Sequence, residues 1–230
     1  MEMRETNGWE LRDMSPVELL DTMGDDDAVC DAARVSFDKE ASGFTPEQNT
    51  KLLKYLAKHR HWSPFAHVHA KFRFSAPIFI ARQFVKHQVG FAWNEVSRRY
   101  VDKDPWYFVP HSWRKRPENM KQGSVAEGEV VLTQESVELG RYMVQAREWH
   151  RDYRALRLSS VCPEQARMVQ PQAMMTEWIW TGSLEAWARF YKLRIDEHAQ
   201  AECWPYARDV SVFLKDAFPA SWEALTGESQ

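Results

Sequence analysis

Arg82–Tyr100 reads RQFVKHQVGFAWNEVSRRY, and the organisation of the chain is read outward from it. Arg82, Gln83 and Lys86 recur at three- and four-residue spacing, which puts them on one face of a helix. Val89-Gly90-Phe91-Ala92 breaks that period, because glycine costs helix stability and opens a turn. Beyond the turn, Asn94, Glu95, Ser97 and Arg99 supply an amide, a carboxylate, a hydroxyl and a guanidinium within six positions. Arginine forks onto phosphate oxygens, serine donates, and free N–H groups at a helix start complete a cradle for an anion. The competing reading is a solvated basic face followed by a loop.

The 230 residues suffice for a sizeable core. Apolar residues make up 44% and charged residues 27%, an ordinary soluble balance. A net charge of −3 argues against a general polyanion binder, so any basic cluster is local. No apolar run approaches the roughly 20 residues a membrane helix needs. The opening MEMRETNGWELRDM lacks the apolar core of a signal peptide. Cys30, Cys162 and Cys203 show neither zinc nor redox spacing and read as reduced thiols, so the expected location is cytoplasmic.

Residues 1–15 read as a loose arm. Ser15-Pro16 is expected to open a helical turn through Met23, and Ala28 to Phe37 reads as a helix behind an acidic start. Thr45-Pro46-Glu47-Gln48 is a capping box that starts a helix running to about His59. Val68, Ala70, Phe72 and Phe74 alternate with His67, His69, Lys71 and Arg73, the pattern of a strand with one wet face. His59, His61, His67 and His69 invite a metal reading, but the cations on that wet face disfavour it, and no metal is expected. Ser75-Ala76-Pro77 is expected to start the next helix. Residues 102–128 read as an irregular insertion, Val130 to Leu158 as one long helix, and Ala173 to Trp180 as a strand. Ser183 caps a second long helix carrying Arg194 and His198 one turn apart, and Pro205 marks a kink or stop. The whole, residues 1–230, is expected to be a single domain of α+β class, with long helices on a small, mostly antiparallel sheet.

Two segments resemble the signatures of the flavin-dependent thymidylate synthases. That family carries Arg-His-Arg followed, after a short spacer, by Ser-any-Arg; here stand Lys86-His87-Gln88 and Ser97-Arg98-Arg99. Leu193-Arg194-Ile195-Asp196-Glu197-His198-Ala199-Gln200 carries every fixed member of the family's Leu-Arg-any-Asp-any-His-Ala-Gln helix. Ala166-Arg167, Ala32-Ala33-Arg34-Val35-Ser36-Phe37, His61-Trp62-Ser63-Pro64-Phe65 and Ala76-Pro77-Ile78-Phe79 also resemble family segments, leaving residues 102–128 poorly matched. The departures are Lys86, Gln88, Ala66, Ser183, Glu185 and Arg189, all at positions that touch the flavin in relatives.

The resemblance implies reductive methylation of dUMP, with 5,10-methylenetetrahydrofolate as carbon donor, FAD as hydride carrier and NADPH as reductant. It implies a homotetramer with sites shared between subunits, and neither a nucleic-acid nor a membrane partner. It assigns dUMP to Gln83, Lys86, Glu95, Ser97, Arg98, Arg99, Arg167 and Arg194, with Arg194 the catalytic group. It assigns FAD to Ser36, His61, Ser63, Lys86, His87, Gln88, Asn94, Glu95, Ser183, Glu185, Arg189 and His198. Arg34 is left as a structural residue. Two other classes compete: a nucleic-acid module using the aromatic and basic residues around Trp106 to Arg116, and a zinc hydrolase using the histidines between 59 and 69.

Overall fold

The computed structural model describes residues 11–12, 17–101, 103–108, 110, 113–114, 130–132 and 137–228. In chain order its elements are β1 (Leu11–Arg12), β2 (Glu18–Met23), α1 (Asp26–Arg34), α2 (Pro46–Lys58), β3 (His69–Pro77), α3 (Ile78–Phe84), β4 (Phe91–Glu95), β5 (Tyr107–Phe108), β6 (Trp113–Arg114), β7 (Val130–Leu132), α4 (Val137–Leu158), α5 (Pro163–Ala166), β8 (Met175–Ser183), α6 (Leu184–Ile195), α7 (Trp204–Ala217) and α8 (Pro219–Thr226), with 3-10 turns between some of them. A four-stranded sheet has the order β2-β3-β8-β4, and β2 runs antiparallel to β3. The class is α+β, as the sequence pattern predicts. Most of residues 1–15 and 102–128 lie outside the described residues.

Backbone proximity divides the chain into two compact units. One consists of Met1–Ser15, Ser75–Phe84 and Glu95–Trp178; the other of Pro16–Phe74, Val85–Asn94 and Ile179–Gln230.

In the second unit the predicted alternation holds: Val68, Ala70, Phe72 and Phe74 are buried and Arg73 is exposed. The wet face of β3 is spent on cross-strand charge pairs, Lys71 to Asp21 at 3.3 Å and Arg73 to Glu18 at 3.6 Å. These pairs correct the expectation of a helical turn ending at Met23. Glu18–Met23 is a strand, because pairing with β3 satisfies its backbone and its acids face the lysine and arginine of its neighbour. Under the sheet, Phe72, Phe74, Trp180, Trp187 and Phe190 are fully buried in mainly edge-to-face contacts; Trp187 stands 4.8 Å from Phe72 and 4.9 Å from Trp180. Such pairs add to burial an attraction of about 0.5–1.5 kcal/mol each. Gly182 belongs here for want of space: a Cβ would lie 2.3 Å from the Phe91 ring.

The capping box forms as read. Gln48 N donates to Thr45 Oγ1 at 3.4 Å and Thr45 N to Gln48 Oε1 at 2.9 Å, so α2 starts at Pro46 and ends at Lys58. Ser183 caps α6, accepting from Ala186 N at 3.3 Å. That helix stops earlier than expected, at Ile195. Asp196 turns its side chain to accept from His198 N at 2.8 Å, and its carbonyl accepts from Trp204 Nε1 at 3.0 Å. A carboxylate that captures a nearby backbone N–H offers the chain an alternative to helix. His198 is therefore exposed in a turn, off the helix that carries Arg194. Pro205 lies in the first turn of α7, where its missing N–H costs nothing.

In the first unit two expectations change. Val130–Leu132 is a strand paired with Trp113–Arg114, and the helix begins only at Val137. The β-branched run found a partner distant in sequence, which periodicity cannot foresee. Ser75-Ala76-Pro77 end β3 instead of opening a helix, and α3 follows at Ile78, whose N–H donates to Met174 O at 2.9 Å. The strand expected over Ala173 to Trp180 runs from Met175 to Ser183. Phe84 and Trp178, both buried, pack edge to face at 6.3 Å.

Candidate active site

The second unit holds a cavity of about 650 Å³ at the N-terminus of α6. Leu56, Phe65, Ala188 and Leu225 give it apolar walls, while His61, His69, Ser183, Glu185, Arg189 and Lys192 supply polar groups. Helical period explains the α6 contribution, since Glu185, Arg189 and Lys192 stand four and three residues apart. The rim is closed by the turn before β4. Ser183 N donates to Gly90 O at 3.1 Å, and Arg189 Nη2 donates to Val89 O at 2.8 Å.

The electrostatics of the cavity are mixed. Arg189 Nε stands 3.9 Å from Glu185 Oε1. Burial raises the pKa of the Glu185 carboxyl, with Arg189 and Lys192 pulling against it. His69 Nδ1 is buried with no hydrogen-bond partner among the described residues.

Arg194, in the last turn of α6, donates from Nε to His87 Nε2 at 2.9 Å. His87 is neutral: burial first, then the charges of Arg194 and Arg189, push its pKa down to about 4. Lys86 and Gln88 flank it, exposed. Lys86 lies past the end of α3, so the expected helical face of Arg82, Gln83 and Lys86 stops at Gln83.

The first unit gathers the other anion-directed residues. Ser97, Arg98 and Arg99 follow β4 in a turn, where a helix start was expected. Ser97 Oγ accepts from Arg99 N at 3.3 Å and from Arg99 Nε at 3.5 Å. Arg99 Nη1 faces Glu164 Oε1 at 3.6 Å, and Arg167 stands exposed three residues beyond that glutamate. Glu95 Oε1 accepts from Thr176 Oγ1 at 2.7 Å, which fixes the carboxylate at the end of β4. Arg98 turns inward and donates to Lys103 O; burial pulls its pKa below the ordinary arginine range. Gln83 Nε2 reaches its own helix at Phe79 O, 3.5 Å away.

Residues 18–220 match the family model described as thymidylate synthase complementing protein. The flavin-dependent thymidylate synthase of Thermus thermophilus is 39% identical over 209 residues, covering 91% of this chain and 74% of that one. The chain belongs to the flavin-dependent thymidylate synthase family. The Thermosipho africanus enzyme of the same name is 34% identical over 217 residues, covering 94% and 93% of the two chains. Among solved structures, the UMP/dUMP methylase PolB from Streptomyces cacaoi bound with 5-Br dUMP superposes with a TM-score of 0.81 at 30% identity, over 94% of this chain and 96% of that one.

Membership makes the chain an enzyme with a flavin cofactor, and the cavity residues fit such a group. Arg189, Lys192 and the α6 N-terminus suit a diphosphate, and the apolar walls suit a planar ring. Of the residues expected to hold FAD, the cavity brings together His61, Ser183, Glu185 and Arg189. Ser36, Ser63, Lys86, His87, Gln88, Asn94, Glu95 and His198 are not among the residues that line it. His69, Lys192 and Gly90 were missed. Lys192 was legible from its spacing to Arg189; His69 read as one more residue of a wet strand face. Among the described residues no helix is long and apolar enough to cross a membrane, and no three potential ligands group around a metal position.

Proposed function

We propose that the chain, acting as one catalytic domain, converts dUMP to dTMP by reductive methylation, with 5,10-methylenetetrahydrofolate as carbon donor and NADPH as reductant. The observation that carries this reading is the cavity lined by Arg189 and Lys192 at the start of α6, on the helix whose last turn bears Arg194. FAD, when bound, supplies the hydride chemistry. The chain's own residues bind, orient and polarise. Ser97, Arg99 and Arg167 hold the nucleotide phosphate, assisted by Lys86, because several fixed charged donors grip a phosphate best. Gln83 and Glu95 fix sugar and base edges. The permanently charged guanidinium of Arg194 stabilises the anion formed as the uracil N3 loses its proton, which makes C5 electron-rich enough to attack a one-carbon unit.

His61, Ser183 and Arg189 hold FAD at the cavity, where Glu185 meets it and sets the charge, with Ser36, Ser63, Lys86, His87, Gln88, Asn94, Glu95 and His198 meeting the cofactor in a homotetramer whose sites are shared. No enzyme nucleophile is required. Burial pushes the thiols of Cys30 and Cys203 up to about 11 and about 12, so both stay protonated. Ser97 Oγ faces a guanidinium, the setting of a phosphate donor.

The test is the absorbance spectrum of the purified protein reconstituted with FAD. A yellow protein that bleaches on NADPH addition and turns over dUMP supports the reading; a protein that takes up no FAD overturns it. Arg194→Ala then loses about 10²–10³ in rate with the fold intact. The likeness to PolB favours a second reading, acceptance of UMP beside dUMP. Methyl incorporation into UMP under the same conditions decides it.

A further inference from the structure

We propose that His87 is the positioning residue for Arg194: its Nε2 lone pair receives the Nε–H and sets the plane in which the guanidinium faces the pyrimidine. The inference rests on the reading of Arg194 as the group that polarises the uracil.

Arg194 stands two residues before Asp196, where α6 has already ended. A long flexible side chain in the last turn of a helix samples many rotamers unless something holds it. The hydrogen bond at 2.9 Å is made at Nε, the atom at the root of the fork, so it fixes the orientation of the whole planar group. A holder must itself be held. The His87 ring packs edge to face on Phe190, with centroids 5.2 Å apart, and on Trp180, 6.4 Å away, and both of those rings are fully buried.

The holder must also be an acceptor, because a positively charged donor in its place would repel the guanidinium. Imidazole meets this need as the tautomer with its proton on Nδ1. Burial and two neighbouring guanidinium groups keep the ring neutral. His87 therefore bears on the nucleotide through Arg194.

The test uses the full-length, flavin-loaded enzyme and three variants, His87→Leu, His87→Gln and Arg194→Ala, with flavin absorbance and thermal melting reporting on folding. Misplacing a catalytic group by about 1 Å can cost about 100-fold. His87→Leu is expected to lower kcat by roughly 10- to 100-fold with the KM for dUMP changed less than about threefold. His87→Gln, whose amide oxygen can accept from Arg194, is expected to recover most of the loss. Histidine 15N spectra of the wild-type enzyme are expected to show His87 neutral and protonated at Nδ1 across neutral pH. His87→Leu with unchanged kcat, or with the loss wholly in KM, overturns the inference while an inactive Arg194→Ala leaves the reading beneath it standing. Near-normal turnover in Arg194→Ala overturns that reading itself. If His87→Leu fails to fold, the spectrum decides: a ring protonated at Nε2 near neutral pH overturns the inference.

Discussion

Arg189 on α6 donates from Nη2 to the carbonyl oxygen of Val89 across 2.8 Å, fastening the turn before β4 to the rim of the cavity. The same side chain faces Glu185 at 3.9 Å, so one guanidinium both closes the rim and sets its charge. Arg189→Ala is expected to weaken FAD binding by about tenfold or more, since a charged hydrogen bond is worth about 1.5–3 kcal/mol. A fluorescence titration of flavin into the apoprotein measures it.

Glu185 opposes an anionic cofactor whenever it is ionised. Burial raises its carboxyl pKa, so the group takes up a proton earlier on acidification than an ordinary glutamate. FAD binding is therefore expected to strengthen as pH falls through that raised pKa. Glu185→Gln is expected to bind more tightly at neutral pH and to lose that dependence. Affinities measured at two pH values in both proteins check the sign; a variant as pH-dependent as wild type overturns it.

Gly90 adopts φ +81°, and a Cβ there would lie 3.0 Å from Ala186 Cβ and 3.1 Å from Ser183 Oγ. Left-handed backbone alone costs a residue with a side chain about 1–2 kcal/mol. Gly90→Ala is expected to lower stability by at least that amount and to loosen flavin binding with it. Chemical denaturation with and without FAD reads both.

Arg34 is buried, donates to Asn49 Oδ1 at 2.6 Å, and lays its guanidinium 3.8 Å from the Phe44 ring centroid. Asn49 in turn donates to Asp27 at 2.8 Å. Arg34 thus ties α1 to α2 and needs no ligand to explain it. Arg34→Met and Asn49→Ala are each expected to cost about 1.5–3 kcal/mol, and the double variant less than their sum, because they share one bond. Urea denaturation of the three proteins tests this.

The acid limb of stability follows from His87. Its pKa is depressed in the fold to about 4, below the ordinary value of 6.5. The unfolded chain therefore binds the extra proton between those values, and stability is lost as pH falls from 6.5 through about 4. His87→Gln is expected to flatten that part of the profile. Thermal midpoints recorded through this range are the measurement.

Of the three cysteines, Cys162 is exposed while Cys30 and Cys203 are buried. Thiol reagents are expected to label Cys162 alone in the native protein and to leave turnover unchanged. Mass spectrometry of the labelled enzyme, with an activity assay, would expose any thiol route.

Much of the fold was legible because its causes are local. The box at Thr45 and Gln48, the cap at Ser183 and the alternation from Val68 to Phe74 each depend on residues a few positions apart, and each formed as read. The errors share the opposite cause. Glu18–Met23 became a strand through a neighbour about 50 residues away, and Val130–Leu132 through Trp113–Arg114. Asp196 ended α6 by trading a helical bond for a side-chain one, a choice that residue spacing does not reveal.

The order of residues alone determined the class, the start of α2, the cap of α6, and which arginines to watch. It could do so because hydrogen-bond partners within one turn and a repeating apolar face are written in consecutive letters. Only the folded chain decided that His87 would meet Arg194, 107 positions away, and that His69 would line one cavity with Lys192. Such meetings are set by how a sheet and its helices pack, and packing energy belongs to the whole arrangement of side chains.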